Sequence, residues 1–332
     1  MKAVIWTTYG SPDALKVMEI PKPEPKENEV LIHIHAASVS LADCEMRAMK
    51  LPVFFVRVMM RFFIGLFRPK RVSILGQEVA GVVEAVGEQV TKFHVGDRVF
   101  ASLGFHFGGH AEYVCVPESS SDRITAHIPE SMGFLGAATL PVFGVDAYHY
   151  LKLAKIQPGQ HVLVNGAGGS IGTFGVQIAK AQGAEVTAVD LAEKHDMLRS
   201  IGADHVIDYT QQDFTQNGIS YDVIFDVVGK CPFPQVMGSL KEQGCFVTAN
   251  PSLRHMLLAK RVERSTGHAV FYQPSEQHST NLTALLRLIQ NGKVHPVIDR
   301  IYTIEQTAEA HRYVESGKKQ GGVLLDIVDS KK

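Results

Sequence analysis

The stretch VLVNGAGGSIGTFGVQIAKAQGAEVTAVD, residues 162–190, holds the residue types best spaced for chemistry. Asn165 closes an apolar run, and Gly166, Gly168, Gly169 and Gly172 crowd the next seven positions, with Ser170 and Ile171 among them. Glycines let a backbone turn tightly and approach a pyrophosphate. The helix that follows presents unpaired N–H groups and a positive dipole end worth about 0.3–1 kcal/mol to an anion, up to ~2 when partly buried. Asp190 ends the next apolar run 18 residues beyond Gly172, close to the ~20 at which an acid meets the adenosine ribose. The spacing departs from G-x-G-x-x-G, the nearest fits being Gly166-x-x-Gly169-x-x-Gly172 and Gly166-x-Gly168. A dinucleotide site is the favoured reading and a structural glycine turn the bland one. A carboxylate at Asp190 accepts from both ribose hydroxyls and repels a 2′-phosphate. Unit charges about 4 Å apart at an effective dielectric near 20 repel by about 4 kcal/mol, less where solvent or Lys194 screens them. The alternative is that Asp190 caps the helix beginning near Ala192.

Such residues need a scaffold. His161–Asn165 (HVLVN) reads as a strand into the glycine cluster, Ile171–Gln182 as a helix and Glu185–Val189 as the next strand. Helix Lys194–Ile201 and strands His205–Ile207, Val223–Asp226, Cys245–Thr248 and Ala269–Tyr272 continue the alternation. The pattern predicts an α/β class with a doubly wound parallel sheet. The first third differs. In Val30–Ala36 (VLIHIHA), Val30, Ile32 and Ile34 share one face, and Leu31, His33 and His35 the other. Short β-rich runs at Gly81–Val86, Arg98–Ala101 and Ala111–Val116, with glycine turns between them, predict a compact, mostly antiparallel, barrel-like unit. A tail from about Ser275 returns to that unit, with helices at Asn281–Asn291 and Glu305–Ser316 and strands at Val294–Tyr302 and Val323–Ile327. The expected domains are 1–125 with 275–332, and 126–274. Two domains suit 332 residues.

Composition excludes other classes. Lys plus Arg number 33 against 34 Asp plus Glu, a net charge of −1, so no global field draws in nucleic acid. The four cysteines (Cys44, Cys115, Cys231, Cys245) make no C-x-x-C pair and no disulfide framework, which suits a reducing cytoplasm. MKAVIWTTYG reads as a strand and not as a leader. The longest apolar stretch, Leu51–Phe67, is interrupted by Arg57 and Arg61 and is no membrane span. A cytoplasmic location is expected.

Further segments are far more specific than the glycine loop: MKAVIWTTYGSPDALKVMEIPKPEPKENEVLIHIHAASVSLADC, LGQEVAGVVEAVGEQVTKFHVGDRVF, GGHAEYVCVP, SIGADHVIDY, YDVIFDVVG and GKVHPVIDRIYTIEQTAEAHRYVESG. On these, over nearly its whole length, the chain resembles the zinc-free quinone oxidoreductase branch of the medium-chain dehydrogenase/reductase superfamily. The resemblance implies a GroES-like catalytic domain, a Rossmann domain, and a cleft between them for nicotinamide and substrate. It also implies a homodimer through the Rossmann edge strands, here Ala269–Tyr272. The cofactor is then NADPH or NADH, held by Asn165, the glycine loop with Ser170 and Ile171, Asp190 and Lys194; Asp190 leans to NADH and the branch to NADPH.

Zinc-dependent relatives bind a catalytic metal through a Cys, a His in a G-H-E motif and a third ligand. By alignment, those positions here are Ser40, Gln77 and Val142, a set that does not suit zinc. No structural-zinc cysteine lobe is present, and Cys44, four residues past the first position, reads as buried. No metal is expected in the active site. Ser40 takes the place of an Asn in the family's V-N-x-x-D motif, either donating to substrate or capping the loop, and Asp43 is that motif's Asp, holding the loop. Asp146, in LPVFGVDA, stands where relatives carry a Thr near the nicotinamide; it relays a proton or faces solvent idly. Gly321-Gly322 lacks the lysine of the family's G-K-x-V, which removes a phosphate contact.

Between Glu45 and Glu78 there is no acid but seven bases: Arg47, Lys50, Arg57, Arg61, Arg68, Lys70 and Arg71. A helix over residues 53–67 would put Arg57, Arg61 and Arg68 within about 40°, with Phe54, Phe55, Met59, Phe62 and Phe63 on the rest of its circumference. By the resemblance this is a substrate-loop region. The readings are a pocket wall and lid over a bulky apolar acceptor, core or dimer packing, and weak contact of 51–71 with an anionic membrane. Function is expected to be hydride transfer from NAD(P)H to quinones or α,β-unsaturated carbonyls. A zinc-free alcohol/aldehyde oxidoreductase is the rival. A cofactor-binding protein with an RNA- or membrane-associated role and no turnover is the alternative of another class.

Overall fold

Strands alternate with turns from the first residues. The computed structural model describes residues 1–50, 54–251, 253–273, 275 and 279–328, the side chains of 54–55, 253–255 and 279 excepted. It divides into two units, 1–142 with 298–332, and 143–297.

The first unit opens with β1 (Lys2–Trp6) and β2 (Leu15–Glu19), an antiparallel pair. β3 (Glu29–Ser38) follows, its Val30, Ile32 and Ile34 buried in the core and its His33 and His35 half-buried on the other face. Helices α1 (Leu41–Ala48) and α2 (Phe54–Ile64) come next. Then come β4 (Glu78–Val86), β5 (Arg98–Ser102), β6 (Tyr113–Pro117), β7 (Thr125–His127) and the short α3 (Phe134–Ala137).

The second unit contains α4 (Val145–Ala154), β8 (His161–Asn165), α5 (Ser170–Ala181), β9 (Glu185–Asp190), α6 (His195–Ser200) and β10 (His205–Asp208). It continues with β11 (Tyr221–Asp226), α7 (Phe233–Gly238), β12 (Leu240–Thr248), α8 (Leu253–Thr266), β13 (Ala269–Phe271) and α9 (Ser279–Gln290). The chain returns to the first unit as β14 (Ile298–Thr303), α10 (Thr307–Glu315) and β15 (Gly322–Asp326).

The second unit's sheet is wholly parallel, in the order β10-β9-β8-β11-β12-β13. Numbered from β8, this is 3-2-1-4-5-6, the doubly wound order whose switch point lies between its first and fourth strands. The first unit's sheet runs β14-β15-β3-β4-β5-β7, with β6 also on β3. All its pairs are antiparallel except β14 with β15. Among the described residues this path does not close, so the expected barrel-like unit is an open sheet.

The domain boundaries differ from those expected at 125 and 275. Residues 126–142 stay with the first unit because β7 extends its sheet beside β5. Arg98 also donates to the carbonyl oxygens of Glu130 and Met132, and Phe134 stacks on His35. Residues 275–297 stay with the second unit because α9 packs on α4, where Lys152 donates to Asn281. The strand expected from Val294 begins only at Ile298. His295 has both peptide groups taken by the Gln177 side chain, at 2.9 Å each, and has none left for a ladder. α2 is shorter than the expected 53–67. Residues 51–53 lie outside the described residues, and Gly65, at φ +149°, ends the helix while Lys70 and Arg71 N–H groups close on the Ile64 oxygen. Arg68 therefore lies beyond the helix.

Candidate active site

Gly166, at φ +80°, turns the chain out of β8, and its N–H and that of Ala167 bond to the Val189 oxygen at the end of β9. α5 begins four residues later, capped by Gly169 with no side-chain bond. Its first-turn N–H groups therefore gain nothing from a capping side chain. A Cβ on Gly172 would stand 2.2 Å from the Gly166 oxygen, and one on Gly168 would stand 2.5 Å from Lys194 Cδ. At Gly172 the bend holds backbone close to backbone. A pyrophosphate fits this cradle: glycine allows close approach, and the start of α5 offers donors and a positive dipole end.

Asp190 and Lys194 flank the bend, and Asp190 does not cap the following helix. Its Oδ2 accepts from Gly168 N at 2.8 Å, its Oδ1 from Leu191 N at 2.9 Å, and Lys194 Nζ lies 2.8 Å from Oδ1. Both side chains of this ion pair are buried, at 5 % and 8 % exposure. Breaking one side of such a pair strands a charge and typically costs about 3–5 kcal/mol. On the other flank, Asn165 at the end of β8 pairs in register with Asp226 at the end of β11. Asn165 Nδ2 donates to Asp226 Oδ1 at 2.8 Å and lies 3.0 Å from Cys231 Sγ. Asp226 also accepts from the N–H groups of Val228 and Gly229. Asp226 and Cys231 were not singled out by sequence, although YDVIFDVVG ends its strand in that acid. Burial pushes the Cys231 thiol up to about 12, so it is no nucleophile at neutral pH.

Asp146 sits in the first turn of α4, half-buried. Loss of solvent pushes its carboxyl up to about 7, and the neighbouring Ser275 hydroxyl opposes this only in part. Tyr150, one turn on, donates to the Gln273 oxygen at 3.3 Å, and burial raises its phenol, Asp146 adding to the effect. Near pH 7, Asp146 is thus divided between a proton donor and an acceptor.

In the first unit, Ser40 caps α1. Its N–H and hydroxyl both donate to Asp43 Oδ2, at 2.9 and 2.6 Å, while Asp43 N donates back to Ser40 Oγ. Asp43 Oδ1 accepts from Gly76 N, tying α1 to the strand that follows. Of the two readings for Ser40, this geometry is the cap, with the hydroxyl proton already committed. Glu78, also missed by sequence, lies buried beside them, accepting from Ser38 Oγ at 2.6 Å and Val142 N at 2.8 Å. Gln77 donates to the Gly104 oxygen. A committed hydroxyl, an amide and an aliphatic side chain at positions 40, 77 and 142 do not fit a zinc ion. Cys44 is buried with Sγ 3.3 Å from His311 Nδ1, and burial raises its thiol well above the ordinary range. His106 and His110 stand four apart but do not converge. His106 is exposed near Asp122, and His110 is buried with Nε2 on the Ser38 oxygen. At Gly321, Lys319 Nζ bonds to the main-chain oxygen.

The expected pocket residues lie on α2. Met60 and Ile64 anchor the helix in the core, while Met59, Phe62 and Phe63 are exposed, Phe62 at 68 %. The side chains of Phe54 and Phe55 lie outside the described residues.

This fold and cradle define a nucleotide-cofactor dehydrogenase, and comparison with known proteins agrees. Residues 26–130 match the family model of the alcohol dehydrogenase GroES-like domain, and residues 201–325 that of the zinc-binding dehydrogenase. The chain is 32 % identical over 343 residues to the NADPH-dependent alkenal/one oxidoreductase of Arabidopsis thaliana, covering 98 % of this chain and 79 % of that protein. It is 28 % identical to the quinone-oxidoreductase QR1 of Triphysaria versicolor, covering 98 % of each. The solved quinone oxidoreductase of Coxiella burnetii superposes with a TM-score of 0.84 at 29 % identity, covering 98 % of this chain and 99 % of the other. The chain belongs to the medium-chain dehydrogenase/reductase superfamily, in its quinone oxidoreductase branch.

Asp146 yields a pH test. Its carboxyl titrates near 7 when folded and near 3.9 when unfolded. Below about pH 4 both states are protonated and nothing is lost. As pH rises from there to about 7, only the unfolded chain releases the proton, so folded stability falls. The loss above pH 7 is up to about 4 kcal/mol, reduced by the solvent that reaches a half-buried group. Asp146→Asn is therefore expected to melt like the parent near pH 4 and above it near pH 8. Thermal melts across that range check this; a gap that does not change with pH would contradict it.

Proposed function

We propose that this chain is a zinc-independent reductase that passes hydride from a reduced nicotinamide cofactor to quinones or α,β-unsaturated carbonyls. The observation that carries the reading is the start of α5, uncapped over a glycine cradle at the sheet's switch point. Reduced nicotinamide, bound there, supplies the hydride. The glycine bend lets the pyrophosphate come close, and the main-chain N–H groups of Ile171 and Gly172 in the first turn of α5 hold it. Asn165, fixed by Asp226, shapes the crevice beside it. Asp146 can hold or release a proton at its carboxyl near neutral pH. The residues at positions 40, 77 and 142 offer no Lewis acid to polarise a plain alcohol or ketone, which favours acceptors that are already electrophilic. The names of the alkenal/one and quinone relatives support the same substrate classes.

Asp190, on the ribose side of the bend, favours NADH. In Asp190→Ser the repulsion of a 2′-phosphate is gone. The ratio of kcat/KM for NADPH over NADH is expected to rise by about tenfold, equivalent to ~1.4 kcal/mol; an unchanged ratio in a folded variant contradicts the placement.

The activity itself is read by following cofactor absorbance with 1,4-quinones, enones and simple alcohols after exhaustive chelation. Turnover of the first two without metal is expected. Oxidation of plain alcohols alone, or activity restored only by zinc, overturns the proposal.

The exposed side of α2 supports a second reading, contact with an anionic membrane where apolar quinones reside. Met59, Phe62, Phe63, Leu66 and Phe67 are exposed, Phe67 at 87 %, and Arg57, Arg61, Arg68, Lys70 and Arg71 surround them with no acid between Glu45 and Glu78. Apolar burial and attraction of about 1 kcal/mol per base act together at such a surface. No described helix is long and apolar enough to cross a membrane, so any contact of α2 is peripheral. Co-sedimentation with phosphatidylglycerol-containing vesicles is expected, weakened by salt and by the paired change Phe62→Ser with Phe67→Ser. Equal binding to neutral phosphatidylcholine vesicles, or none to either, counts against it.

A further inference from the structure

Three side chains far apart in sequence meet at the opposite ends of the strands that carry the glycine bend. His161, Glu185 and His205 are the first residues of β8, β9 and β10, three adjacent parallel strands. Register places them on one face. His161 pairs with Glu185, His205 pairs with Thr187, and Thr187 lies two residues beyond Glu185 on the same strand. The ligating atoms of the three all lie within 4.8 Å of one another, the single such group of His, Cys, Asp and Glu among the described residues. Glu185 Oε1 is 2.7 Å from His205 Nε2, and His161 Nε2 is 2.9 Å from Thr187 Oγ1. Beneath them the Tyr221 ring lies 4.8 Å from that of His161.

We propose that His161, Glu185 and His205 form a binding site for a zinc-class divalent transition ion, separate from the hydride-transfer site. Two imidazoles and one carboxylate suit Zn²⁺, Co²⁺, Ni²⁺ or Cu²⁺ and do not suit Mg²⁺ or Ca²⁺, which take oxygen ligands. Ligand bonds of about 2.0–2.2 Å set the ligating atoms roughly 3.3 Å apart in a tetrahedron. Turning the exposed His205 and Glu185 side chains by small angles brings the three atoms to that spacing, because the strand ladders already hold the three Cα positions. The fourth position faces solvent and takes water. His161, Glu185 and His205 come from β-strand starts separated by 24 and 20 residues, so no sequence motif announces them. The ion would clamp the edge strand β10 to β9 and β8 and stabilise the fold by mass action. It touches neither the bend nor Asp146. Zinc found with this protein is therefore no sign of zinc catalysis.

The test is calorimetric titration of chelator-stripped protein with ZnCl₂ and, separately, CoCl₂, alongside thermal melts and the visible spectrum of the cobalt form. One equivalent is expected to bind, raise the melting temperature and give tetrahedral cobalt bands. His161→Ala and His205→Ala are each expected to weaken affinity by at least about tenfold and to abolish the rise in melting temperature, while melting normally without metal. Reductase turnover of the parent is expected to be the same with and without zinc. Absence of saturable binding near one equivalent overturns the proposal, as does unchanged affinity in the variant combining His161→Ala with His205→Ala. Both results would leave the assignment of hydride transfer standing, and failure of hydride transfer would leave the metal result standing.

Discussion

Between Gly166 and Gly172 the chain must leave a buried strand and enter a buried helix through a space that excludes a methyl group. The Gly166 oxygen and the position of a Gly172 Cβ lie only 2.2 Å apart, so α5 packs against the bend directly. Glycines cost conformational entropy, about 0.5–1 kcal/mol each relative to alanine within regular structure. Here the cost brings a helix N-terminus without a side-chain cap to the switch point of a parallel sheet. β9 and β11 on either side of β8 hold the crevice, and both end in acids, Asp190 and Asp226, that accept main-chain N–H groups. The strands, the bend and the two carboxylates define one another. A side chain on Gly172 would disturb all of them.

The first unit solves a different problem with similar chemistry. Its loop at positions 38–43 and the start of β4 are the segments where the family resemblance implies the metal-ligand positions of zinc-dependent relatives. Two buried carboxylates hold these segments instead. Asp43 takes the Ser40 N–H and O–H and the Gly76 N–H, and Glu78 takes the Ser38 hydroxyl and the Val142 N–H. Burying a carboxylate is costly unless several donors meet it, and these donors are neutral groups of the chain itself. The loops keep their shape through their own hydrogen bonds, and Ser40 is spent on structure.

Much of this was legible because it is local. Period-two alternation gave β3, and strand–helix repetition gave the parallel sheet to within a few residues at most ends. The glycine spacing marked the bend between β8 and α5. What sequence did not show depends on partners distant along the chain. The unit boundaries follow from β7 joining β5 and from Gln177 seizing both peptide groups of His295, more than a hundred residues away. The engagement of Asp190 with Gly168 and Lys194, and of Glu78 with Ser38 and Val142, follows from folding alone. So does the meeting of His161, Glu185 and His205, which needs three strands in register. The extent of α2 was overestimated because apolar composition continues past Gly65, where backbone conformation ends the helix.

The second unit places two aspartates in opposite surroundings, and the contrast constrains how the site can act. Asp190 meets a lysine and two peptide N–H groups, which fix the position of its carboxyl oxygens. That is the condition for a carboxylate fixed in place by the chain itself. Asp146 has lost water without gaining a cation, and its carboxyl rises to about 7. That is the condition for a group that exchanges a proton at working pH. Reduction of a quinone or enone takes up one proton after each hydride, and in the zinc-independent reading proposed above that proton comes from water or from a side chain. Of the acids set apart by the family resemblance, Asp43 is saturated by three donors, whereas Asp146 titrates in the useful range. An acid at position 146, where the family resemblance implies a threonine, thus gives the second unit a carboxyl that can exchange a proton near neutral pH.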